Sequence, residues 1–362
     1  MSTRRAFGSG VGFAVGWADW LSNCAVIAYA TVTIAEYVAT LAPGLAPFQT
    51  AVALSVLTFF CAMHALGLRL SSSIQRVTSS VTALTFLVLA VTCLLHRSPA
   101  PAAAAAHSAS PAHLLIPFVV AFRAIVVAYD GWYEAVYFTE EDTDAQKHLP
   151  RSMIGGVATV LVLFLLLNLA FLHVLQIPAM AASKLPAADA AQVVFHSAGG
   201  RFVTVLALIT LLSLVNAVLL GAPRILFATG RDGLFTRRAA HVGPAGTPAV
   251  ALLVSAVAAA LLIVSGRFED IIAIAAILVT ALYSISFIAV ITLRMREPNL
   301  PRPFRAWGYP LTTLIVLLGS LAFLAAAIHD DPVSAGRVLA LLAIAAPAYF
   351  LMRRRQRSAR GA

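Results

Sequence analysis

The chain has 362 residues, of which 60% are hydrophobic and only 11% are charged, and its mean hydropathy is +0.90. This composition leaves too little polar surface to cover a water-soluble globule of this length. The formal net charge of +10 could indicate a nucleic-acid partner, so the distribution of the basic residues along the chain decides its meaning.

Ten apolar segments follow one another along the chain, and most hold the roughly 20 residues that cross about 30 Å of hydrocarbon as a helix. They lack the alternating polarity of barrel strands. We therefore predict an all-α polytopic membrane protein with a single transmembrane domain over residues 1–352 and a basic cytoplasmic tail over 353–362. The ten predicted transmembrane helices lie at about 10–41, 49–70, 73–96, 113–138, 152–175, 201–226, 247–265, 270–293, 309–328 and 335–352.

The basic residues are distributed unequally between the two sides of the predicted membrane. If the N-terminus lies inside and the spans alternate, 19 of the 25 lysines and arginines fall on the inner side, five fall outside, and Arg123 lies within a span. Inner loops of membrane proteins carry such an excess of positive charge. The sequence therefore predicts an inner-membrane protein with both termini cytoplasmic, surrounded by lipid and without a nucleic-acid partner.

The first span is preceded by the run Gly-Ser-Gly-Val-Gly at residues 8–12. The run lacks the Gly-Lys-Ser/Thr of a phosphate-binding loop, and no strand precedes it. Close helix packing or a loop-to-helix turn is the favoured interpretation.

A few cysteines and histidines lie inside the spans. Cys24, Cys61 and Cys93 have no paired spacing, which favours packing over a disulfide or a metal site. His64 and His173 are lone membrane histidines, for which a hydrogen-bonded packing role is favoured over a proton relay.

The fourth span is interrupted near its middle by Ala-Tyr-Asp-Gly-Trp at residues 128–132. A carboxylate at the bilayer centre costs about 2.5–3.5 kcal/mol on insertion scales, and a glycine weakens a helix by about 1 kcal/mol. Such a combination is tolerated where unwound backbone faces a water-filled cavity or a ligand. We predict that Tyr129, Asp130, Gly131 and Trp132 form a helix break whose free backbone groups bind a small zwitterion.

An alternative is that the aromatic residues of this segment form a belt at the membrane interface. Tyr129, Trp132, Tyr133 and Tyr137 are of the type found at headgroups. The belt leaves the Asp-Gly pair, a turn or more deeper, without a role.

The sixth span carries two polar residues, Ser213 and Asn216, at a helical spacing of i and i+3. Side chains at this spacing share a face. They either line the same site as the helix break or serve as ordinary interhelical hydrogen-bonding groups. The chain shows no nucleophile–base pair and no spacing typical of metal ligands, so we predict neither an enzyme nor a cofactor nor a metal.

Four sequence elements together resemble the amino acid–polyamine–organocation (APC) permeases. They are AYDGWYEAVYFTEED at 128–142 with HLPRSM at 148–153, LGLR followed by IQ within 66–75, Asn216 followed by PRILFATGRDGLF within 216–235, and RPFRAWGYP at 302–310. The matches run in order over nearly the whole chain. The resemblance implies a permease built as a five-plus-five inverted repeat, which moves amino acids or related small organic cations by alternating access.

Two departures from the family pattern bear on function. Residues 6–17 resemble the segment that leads into the family's third helix, so the first two helices, with their share of the substrate site, are expected to be missing. Counted from Gln75, the position where many relatives carry a lysine that replaces a sodium ion is Thr82. A neutral hydroxyl cannot supply that charge, so exchange or facilitated movement is favoured over proton or sodium coupling.

The resemblance therefore implies an antiporter or uniporter with half of the family's site. The alternative is an N-terminally truncated, transport-inactive membrane protein that acts as a sensor or a partner subunit. The residues predicted to contact substrate are Tyr129, Asp130, Gly131, Trp132, Ser213, Asn216 and, as a gating aromatic, Tyr29, with Thr82 as the coupling position.

Overall fold

A computed structural model of the protein describes residues 2–96, 125, 128–183, 185–243, 246–265, 268–302, 304, 306–347 and 349. Every regular element within these ranges is a helix. The α-helices are α1 Ser2–Phe7, α2 Ser9–Leu41, α3 Gln49–Leu66, α4 Leu68–Leu95, α5 Ala145–Val174, α6 Ile177–Ala182, α7 Pro186–Phe195, α8 Gly199–Arg231, α9 Ala249–Ser265, α10 Phe268–Arg296, α11 Leu311–Asp330 and α12 Pro332–Ala343. Short 3₁₀ helices cover Pro43–Phe48, Glu134–Phe138, His196–Ala198 and Arg237–Ala240.

The long helices agree with the predicted spans. Among the described residues, 7 helices are long and apolar enough to cross a membrane, and two shorter apolar helices, Ala249–Ser265 and Pro332–Pro347, accompany them. Each predicted span except the fourth therefore corresponds to a helix. Most of the fourth, over residues 113–124 and 126–127, lies outside the described residues.

The helix boundaries differ from the predicted ones where polar residues extend a helix. α5 begins at Ala145 rather than near 152, because the Asp144 carbonyl accepts the backbone N–H groups of Lys147 and His148 and starts the helix in the polar loop. α8 likewise continues to Arg231 rather than ending near 226. The predicted loop at 176–200 contains α6 and α7, whose few apolar residues give no span-length signal.

The chain divides into two compact units. The first consists of Met1–Glu36, Pro47–Ser72 and Leu214–Ala362, and the second of Tyr37–Ala46 and Ser73–Ser213. The single domain over residues 1–352 stays a prediction.

The first unit is packed through small residues that let helices approach closely. Trp20 of α2 donates its indole N–H to Ser255 Oγ of α9 at 2.9 Å, and Cys24 is completely buried beside the same turn. A Cβ added at Gly16 would lie 2.9 Å from Thr229 Cγ2 of α8. A Cβ at this position would therefore require the Thr229 side chain or one of the two helices to shift.

The second unit has its own apolar core. Its buried members are Leu89, Ala90, Cys93, Leu167, Ala170, Val174, Ala190, Ala191 and Val203, which come from α4, α5, α7 and α8. Cys24 and Cys93 are free and buried, which confirms the predicted packing role for these two residues.

Candidate functional site

The backbone of the predicted helix break turns at Gly131. Residues 125 and 128 are helical, and the Tyr129 N–H still donates to the Ile125 carbonyl at 3.1 Å. Residues 129–133 then form a turn, in which Gly131 has a φ of 92°, a left-handed value that favours glycine. The 3₁₀ helix Glu134–Phe138 follows. The backbone thus turns at the predicted position, whereas a break within a membrane-spanning helix and its role in substrate binding stay predictions.

Aromatic side chains surround this turn. The Tyr129 ring packs edge to face on Phe164 of α5, with 5.3 Å between the ring centroids. Trp132 and Tyr133 form a second such pair at 5.9 Å, and Tyr133 continues to Tyr137 at 6.0 Å. Tyr129 is therefore fixed against α5, while Trp132 keeps 41% of its surface exposed. These rings suit a substrate site and an interfacial belt equally well.

The Asp-Gly pair distinguishes the two interpretations. Asp130 is exposed and immediately precedes the left-handed glycine. A Cβ added at Gly131 would have Glu134 Oε1 as its nearest neighbour, at 3.9 Å. Backbone conformation rather than lack of space therefore requires glycine here, and an aromatic belt alone does not require such a turn.

Hydrogen bonds and an ion pair join residues within the acidic loop that follows the turn. Asp142 Oδ1 accepts the Asp144 backbone N–H at 2.9 Å and His148 Nδ1–H at 2.8 Å. Lys147 pairs with Asp144 at 3.0 Å. The Asp144 N–H first, and then His148, lower the pKa of the Asp142 carboxyl. These contacts favour the ionised form of Asp142. The contact with His148 also joins the loop to the first turns of α5.

Ser213 lies in the second unit and belongs to a polar cluster between α8 and α4. Its hydroxyl oxygen accepts Gln75 Nε2–H at 3.1 Å and Thr78 Oγ1–H at 2.9 Å. Gln75 also donates to Ser79 Oγ at 3.0 Å. Thr82, the predicted coupling position, lies one turn beyond Thr78, and its buried Oγ1 has no hydrogen-bond partner among the described residues.

Removal of the shared acceptor in this cluster is expected to destabilise the protein modestly. Ser213→Ala leaves Gln75 and Thr78 without their common partner, and interhelical hydrogen bonds in membranes are worth about 0.6 kcal/mol on average. We expect a fall in thermal stability that Thr210→Ala does not produce, because the Thr210 hydroxyl bonds the Leu206 carbonyl of its own helix. Equal melting temperatures for the two variants, measured in detergent, would contradict a role for Ser213 in joining the helices.

Asn216 lies in the first unit and is completely buried. Its Oδ1 accepts His64 Nε2–H at 3.0 Å, and its Nδ2 donates to the Ser71 carbonyl at 3.0 Å. Thr247 Oγ1 donates to the His64 carbonyl at 2.8 Å. Asn216 thus joins the end of α3 to the start of α4, and the predicted hydrogen-bonded packing role of His64 is confirmed.

Two further residues from the sequence analysis, Tyr29 and His173, take part in hydrogen bonds. Tyr29 is partly buried in the first unit, where its carbonyl accepts Thr33 Oγ1–H at 2.8 Å, and its gating role stays a prediction. His173 Nε2 lies 3.1 Å from the His96 carbonyl oxygen.

Sequence reasoning missed Gln75, Thr78 and His64 as partners of the α8 residues Ser213 and Asn216. The one available signal was that a histidine inside an apolar helix needs a hydrogen-bond partner.

Long apolar helices with buried polar contacts between them are typical of a multi-pass membrane protein. The family model for amino acid permeases matches residues 1–347. The chain therefore belongs to the amino acid permease family of the APC superfamily.

Several curated relatives are transporters. The serine/threonine exchanger SteT of Bacillus subtilis is 27% identical over 67% of this chain and 56% of its own length. The human large neutral amino acids transporter small subunit 2 is 30% identical over 64% of this chain and 43% of its own length. The mouse b(0,+)-type amino acid transporter 1 is 23% identical over 77% and 57%, respectively. The chain spans about half the length of the curated relatives it matches.

Proposed function

We propose that the protein is a secondary transporter that moves amino acids or related small organic cations across the cytoplasmic membrane by alternating access. The left-handed turn at Gly131 supports this most directly, because non-helical backbone at membrane depth is tolerated where it lines a water-filled cavity or is buried in protein. In the proposed mechanism, residues 129–132 contact the substrate, and the aromatic rings of Tyr129 and Trp132 cover it.

The orientation in the membrane is part of the proposal. With both termini in the cytoplasm, 19 of the 25 basic residues lie on the inner side, as the positive-inside distribution requires. The acidic loop and the start of α5 then also face the cytoplasm.

Neutral amino acids are the proposed first substrates, and exchange or uniport is the proposed mode. Two relatives are named for serine, threonine or large neutral amino acids, and one of them is named an exchanger. The Thr82 hydroxyl bears no charge that could replace a bound sodium ion. We therefore propose transport without proton or sodium coupling at this position.

Uptake into proteoliposomes tests both parts of the proposal. Radiolabelled serine, threonine and leucine are offered to vesicles that contain the purified protein, with or without an unlabelled amino acid inside. We expect uptake several-fold above protein-free vesicles, stimulation by the internal amino acid if the mode is exchange, and no dependence on a sodium or proton gradient. Uptake equal to protein-free vesicles for every amino acid would overturn the transport proposal and favour the transport-inactive alternative. A requirement for sodium or protons would overturn only the proposed mode.

A further inference from the structure

The N-terminal helix α1 lies in the first unit and contacts the ends of two other helices there. Thr3 and Ala6 are buried, with 6% and 2% of their surfaces exposed, while Arg4 and Arg5 extend away from this face. Gly8, with a φ of 90°, forms the left-handed turn that separates α1 from α2. The glycine run therefore turns between two helices rather than from a loop into a helix.

Each arginine of α1 pairs with an acid on a different helix end. Arg4 Nη1 lies 3.1 Å from Asp232 Oδ2, directly after the end of α8. Arg5 Nε donates to Glu297 Oε1, directly after α10, at 2.9 Å, and Arg5 Nη2 lies 2.7 Å from Oε2 as an ion-pair contact. In return, Arg296 Nη1 donates to the Ala6 carbonyl at 2.8 Å. Two ion pairs and one hydrogen bond to a backbone carbonyl thus connect one short helix to two long ones.

The two acids occupy positions that require cations. Asp232 follows the last residue of α8, and Glu297 follows the last residue of α10. The C-terminal end of a helix carries partial negative charge, so a carboxylate there is unfavourable unless a positive group neutralises it. Arg4 and Arg5 add to the positive charge that Arg231 gives the end of α8 and that Arg294 and Arg296 give the end of α10. The hydrogen bond from Arg5 to Glu297 joins two charged groups, and such bonds are stronger than those between neutral groups.

The last glycine of the run explains why α1 can reach these positions. A Cβ added at Gly12 of α2 would lie 2.6 Å from Arg4 Cβ and 2.9 Å from Arg4 Cα. These atoms belong to the backbone and the base of the side chain, so they cannot move without shifting α1. Gly10, two residues closer to Gly8, has no atom within 4 Å of an added Cβ. Gly12 therefore permits the packing, and Gly10 provides a matched control.

We infer that α1 is an ionic clamp that holds the C-terminal ends of α8 and α10 together at the start of α2. The clamp consists of Arg4–Asp232, Arg5–Glu297 and the close packing of Arg4 on Gly12. Its release would free α1 and expose the buried Thr3. This inference does not depend on the proposed transport function.

Thiol labelling of a reporter cysteine tests the clamp in the full chain. Thr3→Cys is introduced after Cys24, Cys61 and Cys93 are replaced by alanine, and the protein is labelled with a water-soluble maleimide in lipid nanodiscs. We expect slow labelling with the clamp intact and a rate at least three-fold higher in the Arg4→Glu, Arg5→Glu variant. Arg4→Asp combined with Asp232→Arg restores the Arg4–Asp232 charge pair and is expected to be slower than Arg4→Asp alone.

A comparison of Gly12→Ala with Gly10→Ala distinguishes loss of the clamp from a general loss of structure. Gly12→Ala is expected to raise the labelling rate of the reporter at least three-fold, and Gly10→Ala is expected to leave it unchanged. If the charge-reversal variant does not fold, this comparison and Asp232→Asn carry the test. Equal labelling rates in all folded variants, or no recovery in the charge swap, would overturn the clamp. Labelling is measured without any solute, so a failure of the transport proposal does not affect the result.

Discussion

Gly131→Leu is expected to abolish amino-acid uptake while leaving the protein inserted in the membrane. Gly131 has a φ of 92°, and a residue with a Cβ pays about 1–2 kcal/mol to adopt the left-handed conformation, more if it is bulky. The substituted segment would escape this cost by changing the turn. In the parent protein the Tyr129 ring packs on Phe164. In the variant, this ring and the exposed Asp130 would lose their arrangement around the proposed substrate.

Matched substitutions distinguish this backbone effect from a general one. Gly131→Ala has room for its Cβ and differs from the parent mainly in conformational strain, so an intermediate loss of uptake is expected. Gly155→Ala in α5 meets no atom within 4 Å and should keep uptake at the parental rate, with a stabilised helix. Uptake is normalised to the amount of protein in the vesicles. A Gly131→Leu protein that transports at the parental rate would refute the role of the turn.

Asp130→Ala is expected to abolish uptake for a different reason. The exposed carboxylate next to the turn offers the negative charge that attracts an amino group. Asp130→Asn keeps the size and the hydrogen-bonding oxygen but removes the charge, so a loss of uptake in both variants would assign the effect to charge. Measurement of initial rates over a range of substrate concentrations shows whether binding or turnover is affected. Parental kinetics in Asp130→Ala would exclude the carboxylate from the site.

The turn after residue 128 could be predicted because its signal is local. An aspartate and a glycine inside an apolar run contradict a continuous membrane helix whatever surrounds them, so the sequence predicts the turn without knowledge of any partner. The spans were predictable for the same reason, because length and hydropathy are properties of the segment itself. The ends of α5 were less predictable, since its first turn depends on hydrogen bonds to Asp144 that polar composition alone does not reveal.

The partners of the α8 residues could not be predicted because they are distant in sequence. Ser213 and Asn216 share a helical face, but three residues along a helix still separate side-chain directions by about 60°. In the structure Ser213 bonds to α4 within the second unit. Asn216 bonds to His64 and the Ser71 carbonyl within the first. Helical spacing gives the face of a residue, not what lies opposite to it.

Asn216→Ala is expected to lower the free energy of unfolding by about 1–3 kcal/mol, the cost of leaving buried polar partners unpaired. Both His64 and the Ser71 carbonyl lose a hydrogen bond, and the side chain is completely buried. Asn168→Ala provides the matched control, because Asn168 is exposed on α5 and donates to the Phe164 carbonyl of its own helix at 2.7 Å. Reversible denaturation of the purified protein in mixed micelles measures the difference.

A double-substitution cycle then decides between the two roles that the sequence left open for Asn216. His64→Leu combined with Asn216→Leu removes both partners, so it should cost less than the sum of the single substitutions. If Asn216 only joins helices, the rate of uptake per folded molecule in Asn216→Ala stays near the parental value while stability falls. If Asn216 contacts the substrate, the rate falls by more than the loss of folded protein explains. Additive costs in the cycle would show that the His64–Asn216 hydrogen bond contributes nothing to stability.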